Sequence, residues 1–257
     1  LMSRIMNSAK DLGALVMQHA EDYDLSQNGL INSGIIATKL GLSGIPSVAE
    51  RIIIERDLTL LENFKCRYHI SQISAAKSVE IIKERKNNVK FTTGVSINNL
   101  SLNENDIGDF RTFLKLSPPL RTEEDRIALV QGLKDNVIDV IVSDHKPEDE
   151  ESKRLTFSQA ATGASGIETL LSLSLELYHN GSLKLDTIIR SLTSNPAKIL
   201  KIDKGNLSIG NDADLCVVDI DKPWIVKKEK LFSKSKNTSI EDKKLQGKVI
   251  NTFVKGK

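Results

Sequence analysis

The chain has 257 residues, 39% of them hydrophobic and 27% charged, with a formal net charge of +2. That length buries a substantial core and suits one large domain, alone or with a smaller companion. The near-neutral charge gives no reason to expect nucleic acid, and no run approaches the roughly 18 consecutive apolar residues that imply a membrane span.

The first stretch, "LMSRIMNSAKDL", reads as an amphipathic helix with Ile5 and Leu12 among its apolar positions, and it leads straight into the strand "ALVMQH" (Ala14–His19). A complete domain rarely begins with no lead-in, so the chain is expected to be part of a longer one. Helical pattern follows through "SVAERIIIERDLTLLENF". The strand "CRYHIS" (Cys66–Ser71) precedes the helix "SAAKSVEIIKERK", with Ser74 as its N-cap. "VKFTTGVSI" (Val89–Ile97) is a third strand, followed by an irregular connection through "LSPPLR" and the helix "EEDRIALVQGLKD". A fourth strand, "VIDVIVSD" (Val137–Asp144), precedes a helix around "GIETLLSLSLELYH". Strands alternating with helices at this spacing predict an α/β fold with a parallel sheet. The unbroken apolar character of "VIDVIV" predicts burial on both faces.

After Leu200 the pattern changes to Gly-marked turns and strands, "DLCVVDI", "WIV" and "GKVINTFVKG", which predicts a small β-rich segment over residues 201–257 beside a larger unit over 1–200. The lysine-rich "KKEKLFSKSKNTSIEDKK" between them reads as a solvated loop. Cys66 and Cys216 lie far apart in strand-like runs, which predicts buried reduced thiols and a cytoplasmic protein.

Three of the four histidines, His19, His69 and His145, fall at or near the C-terminal ends of predicted strands; His179 ends a helix beside Asn180-Gly181 and would help terminate it. In an α/β barrel those strand ends form the active-site face, so His19, His69 and Asp144 would share one mouth. Two imidazoles and a carboxylate suit Zn²⁺ with an open water position. A metal-bound water could then attack a carbonyl while the carboxylate takes its proton. Each residue alone reads better as an isolated polar group at a strand end, and "SDHKP" as the start of a polar loop. Recurrence of three such residues at homologous strand ends is what favours a site.

An ordered series of landmarks carries a more specific reading: "QHAED" (Gln18–Asp22), "LGLSGIPSVAE" (Leu40–Glu50), "YHISQIS" (Tyr68–Ser74), "KLSPPLR" (Lys115–Arg121), "VSDHKP" (Val142–Pro147), "TSNPAKIL" (Thr193–Leu200), "GNDADLCVVD" (Gly210–Asp219) and "SKSKNT" (Ser233–Thr238). In these the chain resembles the C-terminal three-fifths of a type I dihydroorotase of the amidohydrolase superfamily. The resemblance implies a (β/α)8 TIM barrel with a β-rich composite segment. It also implies a zinc hydrolase interconverting carbamoyl-aspartate and dihydroorotate, as a homo-oligomer or in assembly with aspartate transcarbamoylase. By matching motif it assigns His19 and His69 as metal ligands and Asp144 as metal-bound carboxylate and proton carrier. Ser117 and Arg121 fall in its substrate-facing loop, His145 in a positioning role, and Gly163 and Gly166 in a turn near the substrate. The family's His-x-His and bridging ligand would precede residue 1, so residues 1–257 alone are expected to be inactive.

Three departures from the family's pattern stand out: Ser117 in place of an Asn, Asn98-Asn99 in place of His-His, and Glu148 in place of a substrate-holding His. An acid at 148 would weaken binding of an anionic substrate. Two other readings therefore stand beside the enzyme: an inactive dihydroorotase-like partner, and an amidohydrolase acting on a hydantoin or dihydropyrimidine.

Overall fold

The computed structural model describes residues 1–257. Four strands, β1 (Leu15–Gln18), β2 (Arg67–Ile73), β3 (Thr92–Ser96) and β4 (Val140–Val142), form one parallel sheet in chain order. Helices Val48–Phe64, Ala76–Arg85 and Glu123–Lys134 make the crossovers, and Leu170–His179 follows β4. The result is the α/β architecture expected from the alternation, an arc of four parallel strands covered by helices on its outer side.

Packing of helices on that side supplies the core. Ile54, Leu58 and Leu61 of the first crossover helix share one buried cluster with Ile70 and Ile73 of β2 and Val95 of β3, all at most 1% exposed. Each such side chain contributes roughly 1.5–3 kcal/mol on burial, an upper figure because unfolded chains are partly compact. The Tyr68 hydroxyl also points to this side, donating to Asp57 Oδ2 at 2.7 Å. Helix Glu123–Lys134 begins with a reciprocal capping box between Thr122 and Asp125, and Asp125 Oδ1 also accepts from the Ala76 amide at 2.8 Å, fixing one helix start against another.

Several expectations shift. The first helix (Met2–Leu12) buries Met6 and Ala9 and leaves Ile5 and Leu12 exposed. Ser74 is not the N-cap of its helix; Ala75 is, and the Ser74 amide and hydroxyl are both bound by buried Glu50. β4 is only three residues long, because the amides of Val137 and Ile138 bond back to Gly132 O and complete the preceding helix. Cys66 is buried as expected, but Cys216 is exposed.

"DLCVVDI" and "WIV" form a single strand, Leu215–Ile225, paired antiparallel with Lys244–Phe253 and irregular between Asp219 and Pro223. This hairpin sits on helix Leu170–His179: Ser172 Oγ donates to Gly247 O at 2.7 Å, and Trp224 Nε1 donates to Ser172 Oγ at 3.1 Å. His179 Nε2 donates to Ile220 O at 2.9 Å, so this residue joins helix to hairpin as well as ending the helix. The lysine-rich segment is not uniformly solvated, since Asn237, Thr238, Ser239 and Ile240 are at most 3% exposed. No helix is long and apolar enough to cross a membrane.

Candidate active site

Four side chains meet at the C-terminal edge of the sheet: His19 just after β1, Gln72 near the end of β2, Ser96 at the end of β3 and Asp144 two residues beyond β4. Asp144 has a left-handed backbone (φ 49°), which Asp tolerates better than most residues. Its Oδ1 accepts from Gln72 Nε2 at 3.0 Å, and its Oδ2 lies 3.5 Å from Ser96 Oγ. Burial pushes the Asp144 carboxyl above the usual carboxylate range, opposed by the Gln72 amide and by His19. His19 Nε2 lies 3.2 Å from Glu21 Oε2 and 3.3 Å from Ser117 Oγ. The Glu21 hydrogen bond holds the imidazole more basic than usual, outweighing its burial. Its side chain is 42% exposed, which leaves this corner open to a ligand.

His69 does not join them. Its Nδ1 bonds Thr92 Oγ1 at 2.8 Å, and Thr92 opens β3 whereas Ser96 closes it. Four residues of rise at about 3.3 Å each place His69 roughly 13 Å from the level of Ser96 and Asp144. The charges His69 senses are Asp139 and Lys86, at the other end of the sheet, and desolvation lowers its pKa. What brings Gln72 to the site instead is an irregularity in β2. His69 and Ile70 pair with Thr92 and Thr93, but Ile73 pairs with Val95, so β2 carries one extra residue. Such a bulge shifts side-chain parity and re-aims the residues beyond it. The close approach it creates requires glycine opposite: a Cβ on Gly94 would lie 2.3 Å from Ser71 O.

Arg121 is also placed differently from the expectation. It is 3% exposed, with Nε donating to Ser74 Oγ at 3.1 Å and Nη1 donating to Asn32 Oδ1 and Ile45 O at 2.8 and 2.5 Å. These bonds commit it to joining chain segments beneath the site. Ser117 reaches the mouth through His19. His145 Nδ1 accepts from the amides of Gly166 and Ile167 at 3.2 and 3.4 Å, which leaves the proton on Nε2. Gly166 packs on Ser143, where a Cβ would lie 2.4 Å from its carbonyl oxygen. Gly163 O accepts from Lys153 Nζ at 2.9 Å and from Asn237 Nδ2 at 3.2 Å. Glu148 Oε1 lies 3.8 Å from Lys146 Nζ, so its charge is partly offset. It lines a cavity of about 930 Å³ with His145, Lys236 and Asn237.

Sequence reasoning missed Gln72, Ser96 and Glu21. Counting back from strand ends carried a usable signal: Gln72 is one residue from the end of β2, while His69 is four from it.

The amidohydrolase family model matches residues 1–257. The chain belongs to the amidohydrolase family. It is 43% identical over 258 residues to a dihydroorotase of Ehrlichia chaffeensis and 42% identical over 258 residues to a dihydroorotase of Syntrophus aciditrophicus. Both alignments take in 100% of the chain, and it spans 58% and 61% of those relatives. Among solved structures, the L-hydantoinase (dihydropyrimidinase) of Arthrobacter aurescens superposes with a TM-score of 0.89 at 26% identity, over 100% of this chain and 59% of that one. The dihydropyrimidinase of Brevibacillus agri gives 0.87 at 23% identity over 99% of this chain and 58% of that one, a likeness of fold. The parallel arc is thus part of an amidohydrolase TIM-barrel fold.

Amidohydrolases are generally metal-dependent. The side chains of this amidohydrolase do not make up a three-ligand centre. His19 and Asp144 are at the strand ends, His69 is not, and nowhere do three His, Cys, Asp or Glu side chains gather within metal reach. Where a third ligand would be needed, Gln72 presents a neutral amide whose Oε1 is buried without any hydrogen-bond partner.

Proposed function

We propose that the whole protein is a dihydroorotase, interconverting N-carbamoyl-L-aspartate and L-dihydroorotate in pyrimidine synthesis. Whole-chain identity to curated dihydroorotases carries this reading and favours it over the hydantoinases, whose likeness is mainly one of fold. The proposal concerns the whole protein because the chain spans 58% of the first of those relatives. Residues 1–200 would serve as barrel and 201–257 as the composite segment bracing it, in a cytoplasmic homo-oligomer.

In the hydrolytic direction water adds to the ring amide carbon, the ring C–N bond breaks, and one water proton passes to the released nitrogen. Asp144 would take that proton and return it; its fixing by the Gln72 amide at the sheet edge supports this role. His145 Nε2–H would donate to a substrate carboxylate, with Glu148 opposing that anion and Lys146 offsetting Glu148. The donors gathered in this chain do not by themselves complete a Zn²⁺ site, and the roles above are those of this chain's own side chains.

The test is turnover of dihydroorotate and cyclisation of carbamoyl-aspartate by the full-length protein. Asp144→Asn should lower both by about a hundred-fold or more with the fold retained. Folded protein with no turnover in either direction refutes the reading. One observation, the missing third ligand, favours a second reading: a non-catalytic, dihydroorotase-like partner of aspartate transcarbamoylase. Co-elution of the two proteins without turnover would decide for it.

A further inference from the structure

We infer that Gln72 leaves the strand-end site without the ligands to hold a catalytic zinc ion on this chain's residues, and that one exchange at this position would create such a site. The inference deepens the reading above, because it concerns the same site.

Gln72 occupies the position from which a third side chain can reach Asp144, as their 3.0 Å hydrogen bond shows. A carboxamide has no nitrogen lone pair for a metal; only its carbonyl oxygen can ligate. Facing a carboxylate, the amide must present its NH₂, and that orientation leaves Oε1 buried with no partner. Turning the amide to offer Oε1 to a metal beside Asp144 would break the bond to Oδ1. The Gln72–Asp144 pair therefore opposes metal binding by both partners at once. What remains is one imidazole from His19, one carboxylate already engaged, and one neutral oxygen. Imidazole and thiolate suit zinc, whereas neutral carbonyl oxygens suit harder ions. His69 cannot substitute, being held by Thr92 at the other end of the sheet. The unpartnered Oε1 is the cost of that orientation, a buried acceptor left without a donor.

The experiment measures zinc on the full-length protein, by metal content after dialysis and by competition with a chromophoric chelator. Gln72→Ala should leave the zinc content of the wild-type protein unchanged, because Gln72 supplies no ligand. Gln72→His should bind zinc about ten-fold more tightly or better, and Asp144→Asn added to it should abolish the gain. Gln72→Glu, which keeps the length and adds a charged oxygen ligand, is a second variant should the imidazole disturb packing. Loss of zinc on Gln72→Ala would overturn the inference; so would failure of the folded Gln72→His and Gln72→Glu variants to gain affinity.

Dihydroorotate turnover on the same wild-type samples separates this from the functional reading. Active protein that loses zinc on Gln72→Ala sinks the inference alone, and inactive protein that keeps it sinks the activity alone. Active protein that keeps its zinc on Gln72→Ala supports both, and inactive protein that loses it sinks both.

Discussion

Lys153 offers a stringent test of how the loops around the site are held. Its side chain is 1% exposed, and Nζ donates to Ala161 O at 2.7 Å and Gly163 O at 2.9 Å. Lys115 does the same beside it, donating to Ser158 O and Ala160 O at 2.9 and 2.8 Å. Two ammonium groups thus gather four carbonyls of the loop that ends in Gly163. Lys153→Met keeps most of the volume and removes the donor. Hydrogen bonds from a charged donor contribute about 1.5–3 kcal/mol each, and an orphaned buried carbonyl costs about 1–3 kcal/mol. Gly163 O keeps Asn237 Nδ2 as a donor at 3.2 Å, so only Ala161 O loses its side-chain partner outright. Against these losses, the variant is spared the desolvation of an ammonium. The net expectation is a loss of about 1–3 kcal/mol, or a Tm lower by about 2–12 °C.

The pH dependence fixes the sign independently. Burial depresses the Lys153 pKa from 10.5 to about 8. The native state therefore pays for protonation fully below about pH 8. Between about pH 8 and 10.5 the unfolded chain binds more protons than the native one, so this group makes wild-type stability rise with pH. The gap between wild type and Lys153→Met should widen across that window. Denaturant melts at pH 7.5 and 9.5 measure it. A variant as stable as wild type at both values, or a gap that narrows at the higher pH, would refute the reasoning.

Arg121→Lys should not rescue the fold, because one ammonium lacks the rigid fork that serves Ser74, Asn32 and Ile45 together. A loss of about 3–5 kcal/mol in denaturant melts is expected, and a stable variant with only a raised KM would return Arg121 to a substrate role. Gly166→Ala should displace the Ser143 carbonyl and with it His145, lowering substrate affinity more than stability; wild-type KM in this variant would argue against a positioning role for this turn.

The sheet order was legible because each β-branched run is followed by a helix with a readable start, as at Thr122–Asp125. The strand-end positions of Asp144 and His19 were legible because each follows such a run. His69 misled because an imidazole near the end of "CRYHIS" resembles a ligand, while the extra residue in β2 that turns Gln72 toward Asp144 is a pairing property of two strands. Arg121 misled for a related reason. A charged residue after two prolines reads as a loop group, yet its partners come from segments 47 to 89 residues away.

The C-terminal segment shows why the site is more than a set of strand ends. Asn237 Oδ1 accepts from the Glu148 amide at 3.3 Å, its Nδ2 donates to Gly163 O at 3.2 Å, and its carbonyl accepts from the Ser165 amide at 3.0 Å. Ser239 Oγ donates to Asn98 Oδ1 at 2.8 Å, just past the end of β3. Two connections, those after β3 and β4, are therefore held by one stretch of the lysine-rich segment. Loops on a rigid scaffold carry function only when their own backbone groups are satisfied. Here the Glu148 amide and the Gly163 carbonyl are satisfied by the Asn237 side chain, 89 and 74 residues further along, so the geometry of Glu148 and Gly163 is set by the β-rich segment as much as by the sheet. A change at Asn237 would reach the site without touching Asp144, Gln72 or His19.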